Sequence, residues 1–421
     1  MMRERLASLL RRMGLHATFQ VGTQLLSFAA GVLIVRELSA TGYAHYAICT
    51  AVLAALLMLS DSGTSATLMA RGASLLEDRA QFTGLFKAAA ASRWVVSLPV
   101  VALGGIWTFF LLTANSASTS SSLVCIGLTL VTVFSSLDIA LQQVVHRLHL
   151  RLGVLRHLAL GQAAFRLVLT LLGPLFGSPG PEYYLAVMAI SALLGNIYIR
   201  LATRTYVDGT IRMDRTHLPT YRISVFKTLP MVALLIAGEQ VFLGLISTNG
   251  STEALATFTA LSRFGVVFLV LNSLVSDVAA PIVAHASNDA RAILLRMFAT
   301  TGGYAVLSLI LIGLVWVFSD PILDLLGSRF RGLNVELTLV AAGYATYNLG
   351  YCLNFLSQAR GWLSGSWSYA PLIVVWALIT AFAFDLREPR QVAMSFILQG
   401  LVFVITQLVR IRIGIRLIGR T

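Results

Sequence analysis

Twelve apolar stretches follow one another almost without interruption, at residues 15–35, 43–70, 85–112, 123–145, 152–176, 183–199, 223–247, 254–284, 292–318, 335–358, 367–384 and 392–409. Most match or exceed the roughly 20 residues that a helix rising about 1.5 Å per residue needs to cross a bilayer core. The chain is 57% hydrophobic with a mean hydropathy of +0.81, and the longest polar interval is 200–222. No soluble domain of meaningful size fits between the stretches. The expected fold class is an all-α polytopic membrane protein, with twelve transmembrane helices in two six-helix lobes around a central cavity.

Charge placement tests these boundaries independently. With the amino terminus on the cytoplasmic side, 23 of the 31 Lys and Arg residues fall in cytoplasmic segments or the span ends that adjoin them, 5 on the opposite side and 3 deep within spans. This is the bias that orients membrane helices, and a missed span would invert it downstream. Both termini are therefore expected in the cytoplasm of a bacterial inner-membrane protein. The net charge of +13 resides in short loops that suit anionic headgroups. It does not point to nucleic acid.

The only long connector divides the spans six and six: an amino-terminal lobe 1–207, a linker 208–222 and a carboxy-terminal lobe 223–421. An even number of spans per lobe gives both the same orientation, so any repeat is parallel. Ser60-Asp61 with Ala73-Ser74, set beside Ser276-Asp277 with Ala286-Ser287, hints at such a repeat. Residues 4–13 read as a short interfacial helix with Leu6, Leu9, Leu10 and Met13 on one face. A cleaved signal peptide is not expected, because the apolar run that follows is too long and carries Gln20 and Gln24. Cys49, Cys125 and Cys352 lie in separate spans without metal-type spacing and read as isolated thiols. No metal site or cofactor is expected. Pro99, Pro174, Pro230, Pro281 and Pro371 permit kinks, with Pro230 the preferred hinge.

Seven ionisable residues interrupt the apolar stretches: Asp61, Arg93, Asp138, Arg166, Glu239, Arg263 and Asp277. A charge at this depth costs several kcal/mol, roughly 3 to more than 10, and is kept where it faces a bundle interior or a wet pathway. Polar residues at helical spacing form stripes, such as Gln20, Gln24, Ser27 and Gly31, or Gln162, Arg166 and Thr170. Ser and Thr in these stripes read mainly as interhelical glue. Asp61, Arg93, Asp138 and Asp277 lie in the cytoplasmic half and are candidates for gating or ion coupling. Asp61 with Arg93 reads equally well as a structural ion pair. Arg166, Glu239 and Arg263 lie nearer the middle. With Gln24 and Gln162 they form the candidate cavity set, in which two arginines hold a phosphate group and Glu239 is their counter-ion or a proton site.

The segment Leu38-Ser-Ala-Thr-Gly42-Tyr43-Ala-His-Tyr46, then Asp61-Ser-Gly63 and Arg71, resembles the start of Wzx-type polysaccharide flippases of the multidrug/oligosaccharidyl-lipid/polysaccharide exporter superfamily. Leu229-Pro230, Ala280-Pro281-Ile-Val and Pro321-Ile-Leu-Asp-Leu-Leu-Gly327-Ser-Arg-Phe330 echo the second lobe of that family. One departure is Glu253-Ala-Leu-Ala-Thr-Phe258, where the family tends to open its eighth helix with a Gly-x-Tyr turn. The resemblance implies a V-shaped two-lobe fold open to one side at a time. It also implies a polyprenyl-diphosphate-linked glycan as cargo, flipped from the cytoplasmic to the periplasmic leaflet for surface polysaccharide (O-antigen or exopolysaccharide) biosynthesis. Membrane lipids, polysaccharide polymerase and chain-length proteins are the implied partners. Alternative readings are a cation-coupled multidrug exporter or antiporter and a peptidoglycan-precursor flippase. A membrane polymerase or ligase is disfavoured because no large external loop exists, and no nucleophile–base pair or phosphate loop occurs. The protein is not expected to be an enzyme.

Overall fold

The computed structural model describes residues 2–149, 151–177, 179–275, 290–360, 362 and 366–418. Helices account for nearly all of them, and no strand occurs among the described residues. In chain order the helices are α1 (Met2–Glu37), α2 (Ala40–Asp61), α3 (Thr64–Gly72), α4 (Arg79–Ala114), α5 (Thr119–Leu148), α6 (Leu152–Leu172), α7 (Pro181–Thr203), α8 (Leu218–Asn249), α9 (Thr252–Leu261), α10 (Val266–Leu274), α11 (Ala290–Val317), α12 (Ser319–Leu326), α13 (Asn334–Ala359), α14 (Tyr369–Ala383) and α15 (Pro389–Ile418). Eight helices among the described residues are long and apolar enough to span a membrane, and α14 is a shorter apolar one. Their outward faces are apolar: α4 exposes Val95, Leu98, Leu103 and Ile106 along one stripe.

The ends of these helices follow local chemistry. Ser39 caps α2 by accepting from Gly42 N–H at 3.1 Å. Asp78 caps α4 through Ala80 and Gln81 N–H groups, and those bonds hold its carboxyl below the ordinary aspartate range. Pro181 opens α7 after a reversal in which Gly177 has φ of 107°. The amino-terminal segment differs from expectation. Helix α1 runs unbroken from Met2, so residues 4–13 continue the first span and do not form a separate interfacial helix.

Pro99 and Pro230 sit inside unbroken α4 and α8, while Pro174 lies in the 3₁₀ turn that ends α6. Helix interruptions fall at other positions. Between α2 and α3, Ser62 and Gly63 adopt positive φ values of 28° and 83°. A Cβ on Gly63 would lie 2.8 Å from Thr228 Oγ1, so both conformation and space demand glycine. The eighth span is broken into α9 and α10 by a 3₁₀ segment, Ser262–Gly265.

The chain forms two compact units, Met1–Ala233 and Leu234–Thr421, with the division falling inside α8 just after Pro230. In unit 1, Leu68, Phe82, Leu85, Leu141, Val144 and Tyr221 form a core uniting α3, α4, α5 and the start of α8. The connector before α8 is pinned to α4. Lys87 Nζ donates to Gly209 O at 2.7 Å, Asp208 N to Thr83 Oγ1 at 3.1 Å and Arg79 to Arg204 O at 3.1 Å. In unit 2, Tyr344, Tyr347 and Tyr351 of α13 interleave with Phe396 and Phe403 of α15. Gly350 leaves room for the Phe403 ring in that seam.

Candidate functional site

Unit 1 gathers four of the expected residues. Asp61 ends α2, and Arg93 reaches it from α4 to form an ion pair. Ser65 of α3 donates to Asp61 Oδ1 at 2.7 Å, and Arg93 donates to Ser65 Oγ at 2.7 Å. The same guanidinium donates to Leu137 O of α5. The next residue, Asp138, pairs with Arg200 of α7 at 2.6 Å. Sequence reading missed that partner because it assigned Arg200 to a loop, whereas α7 continues to Thr203.

Arg166 lies on α6 in a different situation. Its Nε donates to Gln162 O of its own helix at 3.2 Å, and no carboxylate bonds to it among the described residues. The side chain is half-buried. Gln162 is largely committed to packing, since its amide donates to Ser191 O of α7 at 3.1 Å and Ser191 Oγ donates back to its carbonyl at 3.4 Å. Helix α1 packs on α6, where Phe19 meets the His157 ring edge-on and Arg156 sits over Phe19. Gln24 lies half-exposed on α1.

Unit 2 holds Glu239 and Arg263. Glu239 on α8 is exposed, and its Oε1 accepts from Tyr347 Oη of α13 at 3.2 Å. Tyr351 and Tyr369 also stand close enough to interact with its charge. Beside it, Gln399 and the Tyr369 hydroxyl are buried next to one another, outside any regular hydrogen bond among the described residues. Three tyrosines, a glutamine and an acid thus meet within unit 2. Arg263 lies half-buried on the 3₁₀ break between α9 and α10. Asp277 lies outside the described residues.

Three features were not anticipated. Arg410, counted with the loop arginines in the sequence, is fully buried in α15. It donates to Asn354 Oδ1 of α13 at 2.6 Å and to Trp362 O, and Nη2 has no partner among the described residues. The apolar run continuing through Ile411, Ile413 and Ile415 was the available signal. A neutral tie joins Tyr304 Oη to Asn272 Oδ1 at 3.0 Å and Asn272 Nδ2 to Asn348 Oδ1 at 2.6 Å. Finally, Cys49 and Cys125 are not isolated: α2 and α5 bring their thiols into contact. All three cysteines are free and buried. No cluster of metal-binding residues occurs among the described residues.

No protein-family profile matches the chain, and no curated protein matches it either. Solved structures do. An inward-facing multidrug resistance MATE family transporter of the MOP superfamily is 14% identical with a TM-score of 0.71, covering 94% of this chain and 96% of its own. The lipid II flippase MurJ in an inward closed conformation is also 14% identical with a TM-score of 0.71, over 93% of this chain and 87% of its own. An outward-facing MATE transporter gives 12% identity and 0.64, over 96% and 94%. The apolar helices and these likenesses together identify a multi-pass membrane protein with the fold shared by MATE and MurJ transporters of the MOP superfamily.

Proposed function

We propose that this protein is a flippase that moves a polyprenyl-diphosphate-linked oligosaccharide from the cytoplasmic to the periplasmic leaflet by alternating access. In this reading its spans number twelve, six to each lobe, in the bacterial inner membrane with both termini cytoplasmic. Polysaccharide polymerase and chain-length proteins receive its product. The observation that carries the reading is Arg166. It is a guanidinium within an apolar helix whose one hydrogen bond among the described residues goes to its own helix. A cation at that depth is retained for a purpose, and its remaining donors match the planar, bidentate geometry of a phosphate. Arg263 is the second cation of the cradle, and Glu239 is the coupling group.

The test is flipping of a short-chain polyprenyl diphosphate glycan in proteoliposomes holding the full chain. Arg166→Ala and Arg263→Ala should each abolish it while the protein remains folded. Normal flipping in both variants would discard the cradle.

One observation favours a second reading, a cation-coupled small-molecule exporter. Glu239 among Tyr347, Tyr351 and Tyr369 offers an acidic, aromatic-lined site suited to a cationic substrate. Transport of an organic cation that survives loss of both arginines would select it. A peptidoglycan-precursor flippase shares the lipid-diphosphate chemistry and is separated by genetic essentiality.

A further inference from the structure

The 3₁₀ break of the eighth span borders a cavity inside unit 2. An α-helix advances about 100° per residue and a 3₁₀ turn about 120°. The four residues Ser262–Gly265 therefore rotate the faces of α10 by about 80° against those of α9. Phe264 and Phe268, on either side of the new turn, line a cavity of about 170 Å³. Helix α13 forms another wall. There Tyr344 takes the room over Gly265, while Ala341, one turn earlier, presents only a methyl group. The remaining wall is one face of α11, with Leu311, Leu314 and Val315 at helical spacing and Phe318 just beyond its end.

Size, lining and depth together select the occupant. Every lining residue is apolar except Tyr344. An apolar cavity of about 150 Å³ stays dry and accepts a hydrocarbon of about six carbons, so water does not suit this one. Val267 of α10, Leu314 and Phe318 both line the cavity and are exposed, at 43%, 48% and 53%. They continue the outward face of α11, where Leu309, Ile310 and Val317 meet the bilayer. The mouth therefore opens into hydrocarbon. Ile322 of α12 also lines the cavity. That short helix is amphipathic, with Leu323 and Leu326 buried and Asp320 and Asp324 exposed, which sets it at the edge of the hydrocarbon layer. A lipid with its head group beside α12 can lay a chain inward from there. A helix of a second copy, about 10 Å across with its side chains, is too broad to enter.

We infer that this cavity binds one acyl chain of a bilayer phospholipid, inserted between α10 and α11 and packed against the 3₁₀ break. The chain supplies the apolar contacts that Gly265 and Ala341 lack, and so steadies the turn on which Arg263 sits. The lipid is then a component of unit 2 and not merely its solvent. This goes beyond the flippase reading and does not depend on it, because no cargo is involved.

The experiment is photo-crosslinking of the full chain in nanodiscs that hold one copy each. The probe is a phosphatidylethanolamine carrying a diazirine in mid-chain, and labelled residues are located by fragmentation mass spectrometry. Leu337, Val340 and Ala341 of α13 line the cavity but are buried, out of reach of lipid that merely surrounds the protein. They should be labelled in the wild type. Val315→Phe and Ala341→Leu fill the cavity from two sides and should each cut that labelling about tenfold. Labelling of the exposed α14 face at Val374, Leu378 and Phe382 should stay constant. Label confined to outward faces means surrounding lipid only and overturns the inference. So does label at 337–341 that a filled, folded variant keeps. Label there from a diazirine polyprenyl phosphate but not from the phospholipid overturns it too, assigning the cavity to an isoprenoid tail. If one filled variant fails to fold the other decides, and if both fail the wild-type pattern decides.

Discussion

Tyr347 Oη of α13 donates to Glu239 Oε1 of α8 at 3.2 Å, so a phenol orients one oxygen of an acid that sits in an apolar helix of unit 2. Tyr347→Phe should remove one hydrogen bond, cost about 1 kcal/mol and leave the protein folded. Glu239→Gln should preserve the fold but reduce gradient-driven transport. Proteoliposome flux with and without proton and sodium gradients checks this, and an unchanged gradient dependence in the Gln variant argues against coupling.

Arg166 and Arg200 are both arginines of unit 1 but predict different outcomes. Arg200 pairs with Asp138 and is 60% exposed, so Arg200→Ala should change stability by about 1 kcal/mol or less. Arg166→Ala should leave thermal stability unchanged and lower flipping at least about tenfold. Arg166→Lys should recover only part of it, because an ammonium lacks the planar fork. Full recovery by Lys would reduce the site to a point charge.

Arg410 should prove structural. Arg410→Met removes the donor to Trp362 O and Asn354 Oδ1 inside unit 2. A loss of about 2–4 kcal/mol is expected, read as a lower melting temperature in detergent. Exposed Arg412, two residues on, should tolerate Ala without a measurable shift.

Gly63→Ala should destabilise by about 1–3 kcal/mol, since φ is 83° and the new methyl group meets Thr228 Oγ1. Pairing it with Thr228→Ser should relieve none of the backbone strain. A near-normal melting temperature for Gly63→Ala would contradict the positive-φ turn.

The connector before α8 should loosen in acid. Asp208 is held below the ordinary aspartate value of 3.8 by hydrogen bonds from Thr210, and Asp214 by bonds from Thr216. A depressed carboxylate stabilises fully above the unfolded value, and that contribution fades as pH falls through the lower folded value. Exchange of peptides over 206–217 should therefore rise below about pH 4. In D208N/D214N it should vary with pH only as the intrinsic rate does.

Apolar periodicity exposed most of the helices because a bilayer leaves little else for such runs to become. Helix breaks were less legible. Prolines stayed inside α4 and α8, where each removes a single hydrogen bond, whereas Ser62-Gly63 turned the chain through positive φ. The Asp61–Arg93 pair was readable because both charges interrupt apolar stretches at similar depth. Arg200 and Arg410 were not, since a terminal arginine looks the same whether its helix ends before it or carries it into the core. The tie of Asn272, Tyr304 and Asn348 escaped for the opposite reason: neutral residues carry no depth signal.

The burial of Cys49, Cys125 and Cys352 has a practical side. Thiol-reactive dyes and spin labels attack exposed thiolates, so the native chain should stay almost silent towards them under folded conditions. A single cysteine introduced at an exposed site such as Ser120 then becomes the dominant reporter, with no need to strip the natural residues from packed helices. Wild-type protein can serve as its own unlabelled background for distance and accessibility measurements.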